Sequence, residues 1–188
     1  MDNSECFELD KYLNFIDNTI KSILLRKEKY NINYDILDTD KSKEYKLIYL
    51  KEKQRLMKIG EIWQEVLGNY NGFNNLKKGH ETGLDIISID KKIIIELKNR
   101  TNTDNSSSKK TNFDKLAKFK KNNPEYTCIY ASINDNNEYK TLKGTIKKII
   151  YNDVELEIYI GYTFLNFILG NNTDIIINFI KNTIDKYS

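Results

Sequence analysis

Cysteine, proline, histidine and arginine are all scarce in this 188-residue chain. Its two cysteines, Cys6 and Cys128, lie far apart and form no Cys-x-x-Cys. That excludes a disulfide framework and points to a reducing, cytoplasmic compartment, with both thiols expected as small buried hydrophobes. A single proline, Pro124, and the lack of any Gly/Pro-rich stretch leave no linker to divide the chain, so one domain over residues 1–188 is expected. One histidine, His80, has no second nitrogen ligand near it in sequence, which argues against a zinc site. It reads as a loop residue, or else as a phosphate contact. No apolar run is long enough to cross a bilayer: the longest, Ile158 to Gly170, is interrupted by Asn166. The start, Met1-Asp2-Asn3-Ser4-Glu5, is acidic and polar, unlike a signal peptide. Charge of one sign is also missing in the total. Lys and Arg number 30 against 27 Asp and Glu, and the net +3 is too small to announce a nucleic-acid binder.

What is present is an ordinary globular composition, 39% hydrophobic and 30% charged, enough to bury a core without cross-links. Residues 7–30 carry a helical stripe through Phe7, Leu9, Tyr12, Leu13, Ile16, Ile20, Ile23 and Leu24. Further helices are predicted over about 43–57 and 58–68, the latter stopped by Gly68 and the turn-forming residues 69–72. Two β-branched runs, Leu84–Ile89 and Ile93–Leu97, flank Asp90-Lys91-Lys92 and read as a hairpin. A polar loop over 101–111 leads to a short helix over 113–122 capped by Asn112. Thr127–Ile133 reads as a buried strand, 144–151 and 154–162 as further strands. A C-terminal helix, capped near Thr173-Asp174, carries Ile176, Ile177, Ile180 and Ile184. This order predicts a mixed α/β fold: a helical part over about 1–70, a sheet core over about 80–165, and a last helix over about 173–186.

The chemically informative stretch is Gly83 to Arg100. Alternate residues of a strand share a face, so Glu96 and Lys98 point one way and Leu97 the other. Folding the hairpin at 90–92 returns Asp85 to the level of Glu96–Lys98. Two carboxylates and one ammonium would then converge at a sheet edge. Asp85, Glu96 and the Leu97 carbonyl are hard oxygen ligands of the kind Mg²⁺ accepts while keeping several waters. The metal would acidify a bound water, and Lys98 would position that water and offset charge on the attacked phosphate. The pattern (Asp or Glu)-x-Lys is not specific by itself. It occurs at Glu44, Asp90, Glu96 and Glu138, about as often as chance predicts for this composition. Only the Glu96 match ends an apolar strand preceded by another strand with its own Asp; a solvated strand end is the plain alternative.

Asp85 with Glu96-Leu97-Lys98 resembles the active-site pattern of the PD-(D/E)XK nuclease superfamily, with Leu84 where the name has proline. Residues 96–111 are similar to type II restriction endonucleases, especially a subgroup associated with GGNCC-type sites, and Ile59-Gly60-Glu61-Ile62-Trp63-Gln64 resembles that subgroup's helix before the motif. The resemblance covers about residues 58–122. It implies a restriction-endonuclease-like fold, a central mixed β-sheet flanked by helices, in a dimeric, Mg²⁺-dependent, sequence-specific DNA endonuclease. It also implies a further acidic or amide group from the preceding helix. Glu61, Gln64 and Glu65 all lie off the apolar stripe: Gln64 sits where the family position falls, and Glu65 is the stronger ligand.

Partitioning the charge gives the total a meaning. Residues 98–121 hold Lys98, Arg100, Lys109, Lys110, Lys115, Lys118, Lys120 and Lys121 against Asp104 and Asp114, a net +6, while the remainder is −3. A basic segment starting inside the motif suits double-stranded DNA. Asn99, Asn102 and Asn105 offer the paired donor and acceptor that read adenine edges, and Ser106, Ser107, Ser108, Lys109 and Lys110 suit phosphates or base edges. A flexible Lys-rich surface would look similar. The same chemistry would also serve a structure-specific or non-specific nuclease of the superfamily. A non-catalytic DNA-binding module would explain the basic segment alone.

Overall fold

The computed structural model describes residues 3–27, 31, 33, 35–100, 106–134 and 145–188. The expected mixed sheet flanked by helices is what forms. Six strands run in the order β1-β2-β3-β4-β6-β5. These are β1 (Asn74–Asn75), β2 (Ile86–Ser88), β3 (Ile93–Arg100), β4 (Thr127–Asn134), β5 (Thr145–Tyr151) and β6 (Val154–Ile160). β3, β4 and β6 are parallel and central, whereas β1, β2 and β5 pair antiparallel at the margins. Helices cover both faces of the central strands, which are apolar over most of β4 and the first half of β3.

The N-terminal stripe forms α1 (Asn3–Leu24), which ends six residues before the predicted 30. Its apolar positions stop at Leu24, and Leu25 is already exposed. The two helices predicted over 43–57 and 58–68 are one, α2 (Asp40–Leu67), of 28 residues. A reciprocal capping box starts it: the Ser42 N–H donates to Thr39 Oγ1 at 3.3 Å, and the Thr39 N–H donates to Ser42 Oγ at 2.7 Å. Nothing between Met57 and Lys58 interrupts the backbone, and Gly60 is carried through at roughly 1 kcal/mol relative to alanine. Only Ile62, Val66 and Leu67 of α2 are buried, so its outer part is solvated along its whole length. Gly68 stops the helix by close approach: a Cβ there would lie 2.7 Å from that of Asn75.

On one face of the sheet α1, α2, α4 (Tyr162–Leu169) and α5 (Thr173–Tyr187) bury Ile86, Ile95, Leu97, Ile129, Ala131 and Ile133. On the other face α3 (Ser106–Asn122) buries Leu84, Ile94, Cys128, Tyr130 and Leu156 through Phe113 and Leu116. Each Ile, Leu or Phe among them contributes about 1.5–3 kcal/mol of burial. Cys128 is indeed a buried free thiol, pushed up to about 11 by burial. The side chain of Cys6 lies outside the described residues.

Several boundaries differ from prediction. α3 begins at Ser106, so Asn112 is a buried residue inside it and not its cap. Ser106–Thr111 is therefore helix where the loop over 101–111 was expected. β6 ends at Ile160, and Gly161, at φ +64°, turns the chain into α4. Residues 158–170 are so uniformly apolar that no period separates strand from helix there. α5 is preceded by Asn172 without a side-chain cap, and Thr173 Oγ1 donates instead to the Gly170 carbonyl at 2.7 Å. Among the described residues no helix is long and apolar enough to cross a membrane.

Candidate active site

The site grows out of the alternation in β3. Ile93, Ile95 and Leu97 face the α1/α2/α4/α5 layer, and Ile94, Glu96 and Lys98 face α3. Glu96 is only 3% exposed, although it is a carboxylate. Lys98 Nζ donates to its Oε1 at 2.6 Å. The other oxygen, Oε2, is buried with no hydrogen-bond partner among the described residues. A bare buried carboxylate oxygen is costly unless something else binds it.

Asp85 meets this pair from the neighbouring chain segment. Pairing of β2 with β3 stops at Ile86 opposite Ile95. One step further, the Leu97 N–H donates to Asp85 Oδ2 at 2.7 Å, so the carboxylate stands in for a strand carbonyl. The main chain of Asp85 is held on both sides: its N–H donates to the Ile95 carbonyl at 3.1 Å, and its carbonyl accepts from the Leu76 N–H at 2.8 Å. From α2, Gln64 Nε2 donates to Asp85 Oδ1 at 2.9 Å. Burial, and next the charge of Glu96, push the Asp85 carboxyl up to about 6; the Leu97 N–H, Lys98 and Lys115 oppose this.

The structure thus brings Asp85, Glu96, Lys98, Leu97 and Gln64 together. It does not bring Glu65. That carboxylate bonds to Lys77 and Asn69, because one residue along a helix turns the side chain by about 100°. Glu61 is likewise turned away, held by both terminal nitrogens of Arg26 at 2.8 and 3.1 Å. Among the described residues no cluster of three or more His, Cys, Asp or Glu side chains could hold a metal. Asp85 and Glu96 make a two-carboxylate set, and Glu96 Oε2, unpartnered among the described residues, is a hard oxygen donor. That chemistry fits Mg²⁺, which takes few protein ligands and keeps water.

The predicted DNA contacts scatter more. Asn99 is tied into the sheet: Asn134 Nδ2 donates to both its carbonyl and its Oδ1 at 2.9 Å. Arg100 is exposed at the end of β3 and, after the larger effect of Arg55, helps hold the Glu52 carboxyl below its ordinary range. Asn102 and Asn105 lie outside the described residues. Ser106, Ser107 and Ser108 form the first turn of α3, and exposed Lys110 follows. Lys109 Nζ stands over the rings of Phe113 and Tyr130 at 5.7 and 5.9 Å. Because β3 and β4 are parallel and α3 connects them, α3 begins at the same end of the sheet as Glu96 and Lys98. Lys120 closes the other end of α3, donating to the carbonyls of Pro124 and Tyr126.

His80 is a turn residue. Its Nδ1 lies 2.9 Å from Thr82 Oγ1 and accepts the Thr82 N–H at 3.3 Å. In the sequence Lys115 is one of the eight basic residues of 98–121, with nothing to set it apart. It sits on α3 but donates to the carbonyl of Gly83, 32 residues away, at 3.1 Å. No local pattern marks such a pair.

The family model described as Eco47II restriction endonuclease matches residues 5–187. No curated protein matches the chain. The chain belongs to the Eco47II restriction endonuclease family, and is therefore a type II restriction endonuclease, a DNA-binding, site-specific deoxyribonuclease.

Proposed function

We propose, from that membership, that the chain is a PD-(D/E)XK nuclease which cuts both strands of double-stranded DNA with Mg²⁺ at a short palindromic site of the GGNCC type, acting as a homodimer. The observation that carries this is the convergence of Asp85, Glu96 and Lys98 at one end of the sheet, with Glu96 Oε2 left without a partner among the described residues. A palindromic site matches a two-fold axis between two copies.

Asp85, Glu96 through Oε2, and the Leu97 carbonyl would hold the ion. When bound, Mg²⁺ acidifies an attacking water and neutralises charge on the scissile phosphate. Gln64 and the Leu97 N–H fix the two oxygens of Asp85, so that carboxylate is oriented before any ligand arrives. Lys98, held by Glu96, would orient the water and offset the charge that builds on the phosphate oxygens. The N-terminal end of α3, with Ser106–Ser108 and Lys110 beside it, carries the positive end of a helix dipole toward the DNA backbone.

Incubating a sequenced genomic DNA with the protein and Mg²⁺, then mapping fragment ends, tests this directly. Discrete fragments sharing one end sequence are expected, with none from Lys98→Ala. A smear, no cleavage, or full cleavage by Lys98→Ala overturns it. Sedimentation with a site-bearing duplex should give two chains per duplex.

A further inference from the structure

Asp85 lies outside β2, at the end of a loop, and its carboxylate is useful only while that loop keeps its shape. The loop is closed largely by its own bonds: the Gly83 N–H donates to the His80 carbonyl at 2.9 Å, and the Leu84 N–H to Thr82 Oγ1 at 3.2 Å. Gly83 sits at φ +62°, a conformation that side chains resist. Over it lies Lys115 of α3. A Cβ on Gly83 would stand 3.3 Å from Lys115 Cε, 3.4 Å from Nζ and 3.5 Å from Cδ. The Lys115 stem therefore packs against the bare Cα, while its ammonium donates to the Gly83 carbonyl. Lys115 is half-buried, unlike exposed Lys118 on the same helix.

We infer that Lys115 is a positioning residue: it clamps the Gly83 turn to α3 and so holds the Asp85 carboxylate against Leu97 and Gln64, where the metal ion is to be bound. This rests on the proposed role of Asp85 and Glu96 as ligands. The clamp joins the helix that begins at the DNA-facing end to the turn that delivers a ligand. Losing the clamp leaves the turn with only its own bonds, so the Asp85 carboxylate is held less firmly toward Glu96. Supporting groups around a metal site typically change its affinity by about 10–100-fold.

The test uses the full chain and four variants: Lys115→Met, which keeps the stem; Lys115→Arg, which keeps the donor; Gly83→Ala, which pushes on the same contact from the other side; and Lys118→Met as a neighbouring charge control. Mg²⁺ binding is measured calorimetrically without DNA, amide exchange is followed over residues 83–86, and cleavage gives kcat and KM. Lys115→Met and Gly83→Ala should each weaken Mg²⁺ binding about tenfold or more and speed exchange at 83–86, with KM for DNA within about twofold. Lys115→Arg should restore Mg²⁺ affinity to within about threefold, and Lys118→Met should leave it unchanged. Wild-type Mg²⁺ affinity in Lys115→Met overturns the inference, whether or not exchange speeds up. So does a KM rise matching that of Lys118→Met with metal binding intact. Should wild type bind Mg²⁺ yet cut no DNA, the functional reading falls while the clamp is still judged by metal affinity and exchange. If wild type binds no Mg²⁺, both fall together.

Discussion

The two faces of the sheet are built from the same strands yet differ in kind. Toward α1, α2, α4 and α5, β3 and β4 present Ile93, Ile95, Leu97, Ile129, Ala131 and Ile133, apolar from end to end. Toward α3 they begin just as apolar, with Ile94 and Cys128, and then turn polar, with Glu96 beside Tyr130 and Lys98 beside Ser132. A strand with a period of two can change the chemistry of one layer without disturbing the other. The difference teaches where this protein keeps stability and where it keeps chemistry: adjacent residues of one strand, Glu96 and Leu97, belong to opposite accounts.

Breaking that division gives the largest expected effects. Glu96→Gln should lower cleavage by at least about a thousandfold while the chain still folds, because the amide keeps an oxygen that can accept from Lys98. A plasmid-cleavage assay beside a thermal melt checks both halves. Leu97→Ala should do the reverse, costing about 2–5 kcal/mol of stability by leaving a cavity on the apolar face. Denaturant unfolding measures it, and a loss below about 1 kcal/mol would mean the two faces are not so separate.

Asp85 sharpens the comparison through pH. Its carboxyl is raised from an ordinary 3.8 to about 6, so between these values the folded chain binds more protons than the unfolded one. Stability without metal should therefore fall as pH rises from about 4 to 6 and stay lowered above, by an amount on the order of 1–3 kcal/mol. Asp85→Asn should remove that slope and raise the melting temperature at pH 7 in chelator. Melts of both proteins across that range decide it; a parallel slope in the variant would assign the effect elsewhere.

Smaller effects separate neighbours on α2. Gln64→Ala should reduce kcat about 10–100-fold by unhooking Asp85 Oδ1, whereas Glu65→Ala should stay within about twofold. Equal losses would show that the hydrogen bond to Asp85 is not what matters. The smallest change is Gly60→Ala. With nothing within 4 Å of the position a Cβ would take, it should stabilise the fold by about 0.4–1 kcal/mol.

Much of the sheet was legible because its signals are local. The hairpin from Leu84 to Leu97, the buried run at Thr127–Ile133 and the pairing of Asp85 with Glu96 all follow from alternation and one turn. Lys92 at φ +53° makes that turn where expected. The errors share a physical cause, which is that tertiary packing overrides local pattern. α4 was hidden in a stretch apolar on every side. The start of α3 was hidden because Ser106–Lys110 has no apolar member, while Phe113 and Leu116 dock the helix it continues. The choice between Gln64 and Glu65 depends on how α2 is rotated against β3, which ligand strength does not reveal. Lys115 on Gly83 is a contact between distant segments, visible only once the chain is folded.

The unbroken run of α2 has a mechanical side. Its solvated tip at Asp40 lies roughly 30 Å from Gly60, and Gln64 lies roughly 6 Å beyond, at about 1.5 Å per residue. Taken as a lever pivoting at Gly60, the helix has one long arm in solvent and one short arm on the Asp85 carboxylate. A tilt of about 10° would carry the tip through about 5 Å and the Gln64 end through about 1 Å. By that geometry, a displacement at the tip is about five times the one at Gln64.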